Sequence, residues 1–403
     1  MEKLKNKLIH TVMLPVYWLG YLFPKNASTW VFGAWKGEKY NDNPKYLFEY
    51  VNKHCPNVRA VWLTRNDKAR QLILSKGYRC HHPLSFAGLY YAFRSAINVF
   101  CVSVLKDTHV LWPQKININL WHGIPLKKIE FDNKISSSLS ATPSATRRLK
   151  DAIYPFLARK SPDTIVIASS TEEKKSLTTA FLMEPENIVI AGSPRLDAFF
   201  VPSDVKRSGR NVLYMPTHRG EGEMNVTDLL MRELDVIDKG LDGTDCTFYV
   251  KLHFYNQHEV AGQRPYRNIV FMTDDMIEQD IYSFLPNVDI LITDYSSVYF
   301  DFLLANRPII FAPFDYEDYL KKDRELYYDY EDVTPGPKCR DWEEVVQWIQ
   351  AFSSDPQLYA AERKAVKDRF HQFQDGRNCD RVVQTIRSLQ AAKPVWKEAR
   401  KPG

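Results

Sequence analysis

A chain of 403 residues has room for two domains of ordinary size, and its 44% hydrophobic and 26% charged content excludes a disordered or fibrous protein. Its six cysteines (Cys55, Cys80, Cys101, Cys246, Cys339 and Cys379) are widely spaced and form no C-x-x-C pair, which argues against a disulfide framework or zinc site and fits the reduced thiols of a cytoplasmic protein. The net charge of +5 is local: residues 127–160 hold eight basic residues against three acids, and the remainder is close to neutral.

Near the start, Lys3, Lys5 and Lys7 precede an apolar run over 12–23, too short for the roughly 20 apolar residues that span a bilayer. Pro15 and Gly20 interrupt it and no small-residue cleavage site follows, so an interfacial segment or a packed first helix is expected rather than an export signal. Short β-branched and aromatic runs then alternate with helix-length periodic segments, the pattern of a parallel α/β sheet. Strands are expected over 29–32, 58–63, 96–102, 116–121, 164–168 and 188–191, with helices over 44–53, 86–94 and 172–182. Within this series the basic stretch (Lys127, Lys128, Lys134, Arg147, Arg148, Lys150, Arg159, Lys160) lies beside Tyr154, Pro155, Phe156 and Leu157. It suits an anionic membrane surface or a phosphate-bearing partner, or else a solvated helix face.

The run 199–210, with Pro202, Ser203, Ser208 and Gly209, reads as a linker. A second series follows, with strands over 212–215, 247–252, 269–272, 288–293 and 308–312 and helices over 228–239 and 297–304. The tail is helical over 342–351, 357–373 and 381–390. The fold class is therefore α/β, with two doubly wound, Rossmann-like domains (1–200 and 201–403) facing a central cleft, where ligands sit outside the carboxyl ends of the strands.

The informative residues stand at those ends. The strand over 116–121 runs into His122-Gly123-Ile124-Pro125-Leu126-Lys127-Lys128. A histidine there, backed by glycine, brings imidazole and backbone to a substrate, and an ordinary pKa of about 6.5 suits proton transfer; a loop-capping histidine is the alternative. Two second-series strands end in Pro216-Thr217-His218-Arg219-Gly220 and Lys251-Leu252-His253, donors suited to an anionic ligand or to a surface ion-pair cluster. A third ends in Asp294-Tyr295-Ser296-Ser297 before an apolar helix, which is either a helix cap or a phosphate cradle. The nearby loop supplies Asp315 and Glu317, carboxylates for ribose hydroxyls or for solvent. No P-loop, G-x-G-x-x-G, H-E-x-x-H, G-x-S-x-G or D-x-D occurs, so neither a dinucleotide fingerprint nor a carboxylate-bound metal is signalled.

Taken in order, these pieces resemble the CDP-glycerol glycerophosphotransferase family, the teichoic-acid and capsule polymerases and primases. The matching segments are Trp121 to Lys128, Gly192-Ser193-Pro194-Arg195-Leu196-Asp197, Pro216 to Arg219, Lys251 to His253, Ile292 to Ser297, Arg307-Pro308-Ile309-Ile310-Phe311, and Asp375-Gly376 with Arg381. The resemblance implies a GT-B fold with an N-terminal acceptor domain, facing the membrane, and a C-terminal domain for the CDP-activated donor. Within it His122 resembles the catalytic base, His253 a second catalytic histidine at the donor phosphates, and Ser296 and Ser297 the phosphate-binding hydroxyls. Joined to the strand-end reading, the donor-phosphate set becomes Thr217, His218, Arg219, Lys251, Asp294, Ser296 and Ser297, with Asp315 and Glu317 at the nucleotide. Lys127, Lys128, Arg147, Arg148 and Lys150 form the acceptor or membrane-facing set.

The implied reaction transfers glycerol phosphate from CDP-glycerol to a hydroxyl of a lipid-linked cell-surface glycan or poly(polyol phosphate), releasing CMP. It needs no cofactor and no nucleic-acid partner, and would proceed at the inner face of the bacterial plasma membrane on a peripherally bound enzyme. The alternatives are CDP-ribitol or another CDP-polyol as donor, a GT-B glycosyltransferase or non-hydrolysing epimerase using a nucleotide sugar, and a non-catalytic membrane adaptor.

Overall fold

The computed structural model describes residues 14, 15, 17, 18, 20–108, 115–134, 153, 164–201, 209–217, 226–252, 266–278, 280–322 and 325–392. Two all-parallel sheets carry it. The first comprises β1 (Asn26–Phe32), β2 (Arg59–Leu63), β3 (Cys80–His81), β4 (Ser95–Phe100), β5 (Ile116–Asn119), β6 (Thr164–Ala168) and β7 (Ile188–Ile190), in the order β3-β2-β1-β4-β5-β6-β7. The second comprises β8 (Arg210–Tyr214), β9 (Cys246–Val250), β10 (Ile269–Phe271), β11 (Ile290–Thr293) and β12 (Ile309–Phe311), in the order β10-β9-β8-β11-β12.

The strands are apolar throughout because both faces are covered. In β1, Trp30 and Phe32 join one core with Trp62, Ile97 and Val99, while Val31 points the other way to Val61, Leu63 and Ala92. Helix Asp42–His54 lays Leu47, Phe48 and Val51 on the first of these faces. In the second sheet, helices Val226–Gly240 and Trp342–Ser354 cover the face of Val212, Phe248 and Ile290, and the opposite face packs Leu213, Leu291 and Ile309. All six cysteines are buried and free.

The two sheets are stitched together. Ile124, Leu126 and Leu196, which follow strands of the first sheet, are buried in the core of the second. Helix Asn378–Ala392, which the sequence division groups with the second domain, returns to bury Cys379, Val382, Val383 and Ile386 on the first sheet. Asp197 caps it, accepting from the backbone N–H groups of Asn378 (2.9 Å) and Cys379 (2.8 Å). The first sheet also has a helix, Asp67–Ser75, started by an Asn66 cap, and a two-residue edge strand, neither apparent from hydrophobic runs.

Candidate active site

In each sheet the chain reverses its winding beside the first strand, between β1 and β4 and between β8 and β11. Loops leaving such neighbours diverge and open a crevice at the carboxyl edge. Here the two crevices face one another and enclose a cavity of about 280 Å³. From the first sheet its wall takes Trp35, Lys39 and Asp42 after β1, and His122 after β5. From the second it takes Met215 and Pro216 after β8, Lys251 after β9, Asp274 after β10, and Ser296 and Ser297 after β11.

His122 is half-buried, its ring 3.8 Å from that of Trp121 and 5.3 Å from that of Trp35. Its Nδ1 lies 3.1 Å from the carbonyl oxygen of Cys101. A carbonyl only accepts, so Nδ1 carries the hydrogen and the neutral ring keeps its lone pair on Nε2. Burial moves the His122 pKa below its ordinary value, against the opposing pull of Asp42, so the lone-pair form prevails at neutral pH. That Cys101 carbonyl is itself fixed. Asp107, fully buried, accepts from the N–H groups of Cys101 (3.1 Å), Val102 (2.7 Å) and Ser103 (3.2 Å), and from Lys36 in the loop after β1 (2.8 Å).

Across the seam, Ser297 starts the short helix Val298–Phe302 in a helical conformation and its hydroxyl makes no capping bond. Ser296 Oγ reaches the Val298 N–H only at 3.5 Å. Both residues instead border the cavity. Gly123 brings the halves together: at φ +140° a Cβ there would stand 3.0 Å from both Ser297 Oγ and Arg195 Nη2. Only glycine permits this approach.

Arg195 closes the seam from below. Its guanidinium is buried and donates to Asp42 Oδ1 (2.6 Å), to the His122 carbonyl (3.0 Å) and to Asp301 Oδ2 (2.6 Å). It also lies 4.7 Å from the centre of the Tyr282 ring, and the Tyr282 hydroxyl donates to Asp301. Asp42, held at φ +61°, accepts in turn from Trp35 Nε1 (3.0 Å), and Asn43 spans from the backbone of Arg195 (3.0 Å) to the Trp121 carbonyl (3.0 Å). One guanidinium thus ties the histidine loop to the helix that follows Ser297.

The other expected residues divide. Lys251 borders the cavity, its Nζ 2.6 Å from Asp274 Oδ1. Asp294 is buried and does not border the cavity; its Oδ1 accepts from the N–H groups of Thr217 (2.8 Å) and Tyr295 (2.6 Å), bracing the loops after β8 and β11. A carboxylate there accepts hydrogen bonds and can brace the two loops. Thr217 is buried one residue beyond the cavity wall. Asp315 is buried and accepts from the Tyr295 hydroxyl (3.0 Å), and Glu317 is exposed on helix Tyr316–Lys322; neither borders the cavity. Lys127 and Lys128 are half-buried and reach residues of the second domain. Lys127 lies over the Tyr319 ring at 5.8 Å, and Lys128 Nζ stands 2.8 Å from Glu325 Oε2. His218, Arg219, His253, Arg147, Arg148 and Lys150 lie outside the described residues. Among those described, no group of three or more His, Cys, Asp or Glu side chains is placed to hold a metal ion.

The residues that the sequence reading passed over are Trp35, Lys39, Asp42 and Asp301; Asp274 reads there as a loop residue, the nearest approach to a D-x-D pattern, and Arg195 only as part of a motif. The signal available for Trp35, Lys39 and Asp42 was their place just after a strand, which matters only once β1 is known to be central.

Residues 16–388 match the family described as CDP-Glycerol:Poly(glycerophosphate) glycerophosphotransferase. The chain is 25% identical over 405 residues to the teichoic acid poly(glycerol phosphate) polymerase of Bacillus subtilis (strain 168), covering 95% of this chain and 52% of that protein. It is 26% identical over 393 residues to the teichoic acid ribitol-phosphate primase of Bacillus spizizenii (strain ATCC 23059 / NRRL B-14472 / W23), covering 92% and 94%. The chain thus spans about half the length of the first of these relatives and nearly all of the second. In fold it is similar to a His-to-Asn variant of the wall teichoic acid polymerase TagF soaked with CDPG, with a TM-score of 0.74 at 22% identity, covering 97% of this chain and 99% of that one. The chain belongs to the CDP-glycerol:poly(glycerophosphate) glycerophosphotransferase family.

Proposed function

We propose that this protein transfers glycerol phosphate from CDP-glycerol to a hydroxyl group of a lipid-linked glycan or poly(polyol phosphate), releasing CMP. The observation that carries the reading is His122, with its lone pair on Nε2, sharing one cavity with Lys251, Ser296 and Ser297. In this reading the acceptor oxygen attacks the phosphorus next to glycerol. Its proton passes to His122 Nε2, the bond from that phosphorus to the bridging oxygen breaks, and CMP leaves with the bridging oxygen. Such transfer depends on positioning and on stabilising charge at the phosphoryl oxygens, here assigned to Lys251, Ser296 and Ser297 with no bound cofactor. CDP-ribitol is the second reading, favoured by the similarity to a ribitol-phosphate primase.

Incubation with CDP-glycerol, CDP-ribitol and UDP-sugars, reading the released nucleotide with and without a chelator, tests this. CMP release from a CDP-polyol that persists under chelation is the expected result; UDP release from a sugar donor overturns it.

The same reading places the enzyme on the cytoplasmic face of the plasma membrane, bound peripherally. Among the described residues no helix is long and apolar enough to cross a membrane. Arg94 Nη1 donates to the Pro24 carbonyl (2.6 Å) and the Phe23 and Phe93 rings meet at 4.7 Å, pinning the start of the first domain to helix Phe86–Arg94. Both parts expose large apolar side chains: Trp18, Tyr21 and Leu22 in one, Phe86 (95% exposed) and Tyr90 in the other, with Leu84 just before the helix. Apolar and aromatic side chains of this kind suit a headgroup interface.

A further inference from the structure

We infer that Asp107 is the positioning carboxylate of His122, acting on the imidazole through the one peptide group that joins Cys101 to Val102. That peptide is bonded on both sides. Its carbonyl oxygen, on Cys101, lies 3.1 Å from His122 Nδ1, and its N–H, on Val102, donates to Asp107 Oδ2 at 2.7 Å. A trans peptide is planar and points these two groups in opposite directions, so carboxylate, peptide and imidazole form one hydrogen-bonded chain. Bonds in such a chain polarise one another. The charge on Asp107 draws on the Val102 N–H, makes the Cys101 oxygen a stronger acceptor and secures the hydrogen on Nδ1, which leaves Nε2 bare.

The same carboxylate reaches a second loop that meets this ring. Its Oδ1 accepts from the N–H of Lys36, 71 residues away in sequence, at 2.8 Å. Trp35 and Lys36 hold φ +44° and +62°, a left-handed conformation that non-glycine residues keep only where their surroundings fix it. That turn sets the Trp35 ring 5.3 Å from the imidazole. Gly33 admits the contact, since a Cβ there would run into the Asp107 carbonyl oxygen. Asp107 is fully buried and held by the backbone N–H groups of Cys101, Val102, Ser103 and Lys36, with no cation bonded to it among the described residues. A carboxylate buried in this way costs stability, and such departures gather at functional sites. At His122, burial lowers the pKa, Asp42, the Cys101 carbonyl and Asp107 raise it, and Arg195 lowers it; the Cys101 thiol is kept neutral by its own burial. The inference rests on the proposed function only in taking His122 as the base.

Steady-state kinetics of the full chain with CDP-glycerol and a soluble acceptor tests it, comparing Asp107→Asn, His122→Ala and the double variant. Asp107→Asn is expected to lower kcat at least about 10-fold, short of the 10²–10⁴-fold that a general base supplies, and to leave the KM for CDP-glycerol little changed. The acid limb of kcat should move down in pH, because a charge that raises the His122 pKa is gone; a loop that had merely opened to water would move it up toward about 6.5. Added to His122→Ala, Asp107→Asn should cost nothing further, because residues that act as a unit are not additive. Unchanged kcat in the folded Asp107 variant, a rising acid limb, or a full further loss in the double variant overturns the inference. Nitrogen NMR of histidine-labelled protein reads the contact without turnover. Hydrogen on Nδ1 in the unaltered protein and mixed tautomers in Asp107→Asn support the inference; hydrogen on Nε2 in the unaltered protein, or the same tautomer in both, overturns it. Melting curves check folding, and Asp107→Ser replaces Asp107→Asn if that protein does not fold. Retained turnover in His122→Ala overturns the base assignment of the proposed function, and the NMR comparison then decides the positioning by itself.

Discussion

The chemistry assigned to His122 depends on which of its nitrogens is bare. The Cys101 carbonyl fixes the hydrogen on Nδ1 and burial keeps the ring neutral. His122→Ala should therefore lower turnover about 10²- to 10⁴-fold and leave donor affinity largely intact. The acid limb of kcat against pH should fall below the ordinary histidine value of about 6.5, because the lowered pKa delays protonation as pH drops. Near-normal turnover in the alanine variant, or an acid limb above 6.5, removes the base assignment. Ser296 and Ser297 make a second case. With no capping bond from Ser297 and only a long contact from Ser296, Ser296→Ala with Ser297→Ala should weaken CDP-glycerol binding and rate while sparing the melting temperature. Intact affinity with a lowered melting temperature would instead make both residues structural.

At the level of elements, the seam is a buried ion network built on Arg195. Removing one member of such a network leaves an unmatched buried charge, commonly costing about 3–5 kcal/mol. Arg195→Met should lose stability on that scale in urea unfolding, because Asp42 and Asp301 would both be stranded. Arg195→Lys keeps the charge but cannot reach Asp42, Asp301 and the His122 carbonyl together, so it should lose turnover more than stability. A loss below about 1 kcal/mol in Arg195→Met would mean that the network does not hold the seam.

The same seam sets a pH dependence of stability. Burial lowers the pKa values of His122 and His371, so the unfolded chain takes up protons below about pH 6.5 that the native state refuses, and stability falls as pH drops through that region. Glu173 acts in the opposite sense. Burial pushes its carboxyl up to about 7, so its contribution is present at low pH and is lost as pH rises from about 4.5 to about 7. Unfolding of Glu173→Gln should consequently gain on the unaltered protein across that interval and run parallel above it; parallel curves throughout would show that Glu173 titrates normally.

For the whole molecule, the proposed function requires the cleft to meet an acceptor that stays in the membrane. Replacing Leu84, Phe86 and Tyr90 by serine should reduce flotation with anionic liposomes and activity on lipid-linked acceptors, yet spare activity on a short soluble acceptor. Neutralising Arg147, Arg148, Lys150, Arg159 and Lys160 should reduce the same readings in a salt-dependent way, since screening shortens from about 8 Å at physiological ionic strength to about 3 Å at 1 M. Full flotation of both variants overturns the membrane reading.

The sequence by itself determined the alternation of buried strands and amphipathic helices, and which segments end strands of a parallel sheet, because these follow from local composition and periodicity. It also marked His122, Lys251, Ser296 and Ser297 by placing polar side chains directly after apolar runs. Strand order was not written there. A parallel strand reads the same at the centre or the edge of a sheet, so nothing local showed that the loop after β1 would bring Lys39 and Asp42 to the cavity. Nor did residue type reveal direction: Asp294 sits in the motif, but its carboxylate turns inward to brace two loops. Only the tertiary structure set Arg195 against Asp42, 153 residues away, and Asp301, 106 residues away, because contacts at such separations are selected by how the two sheets pack.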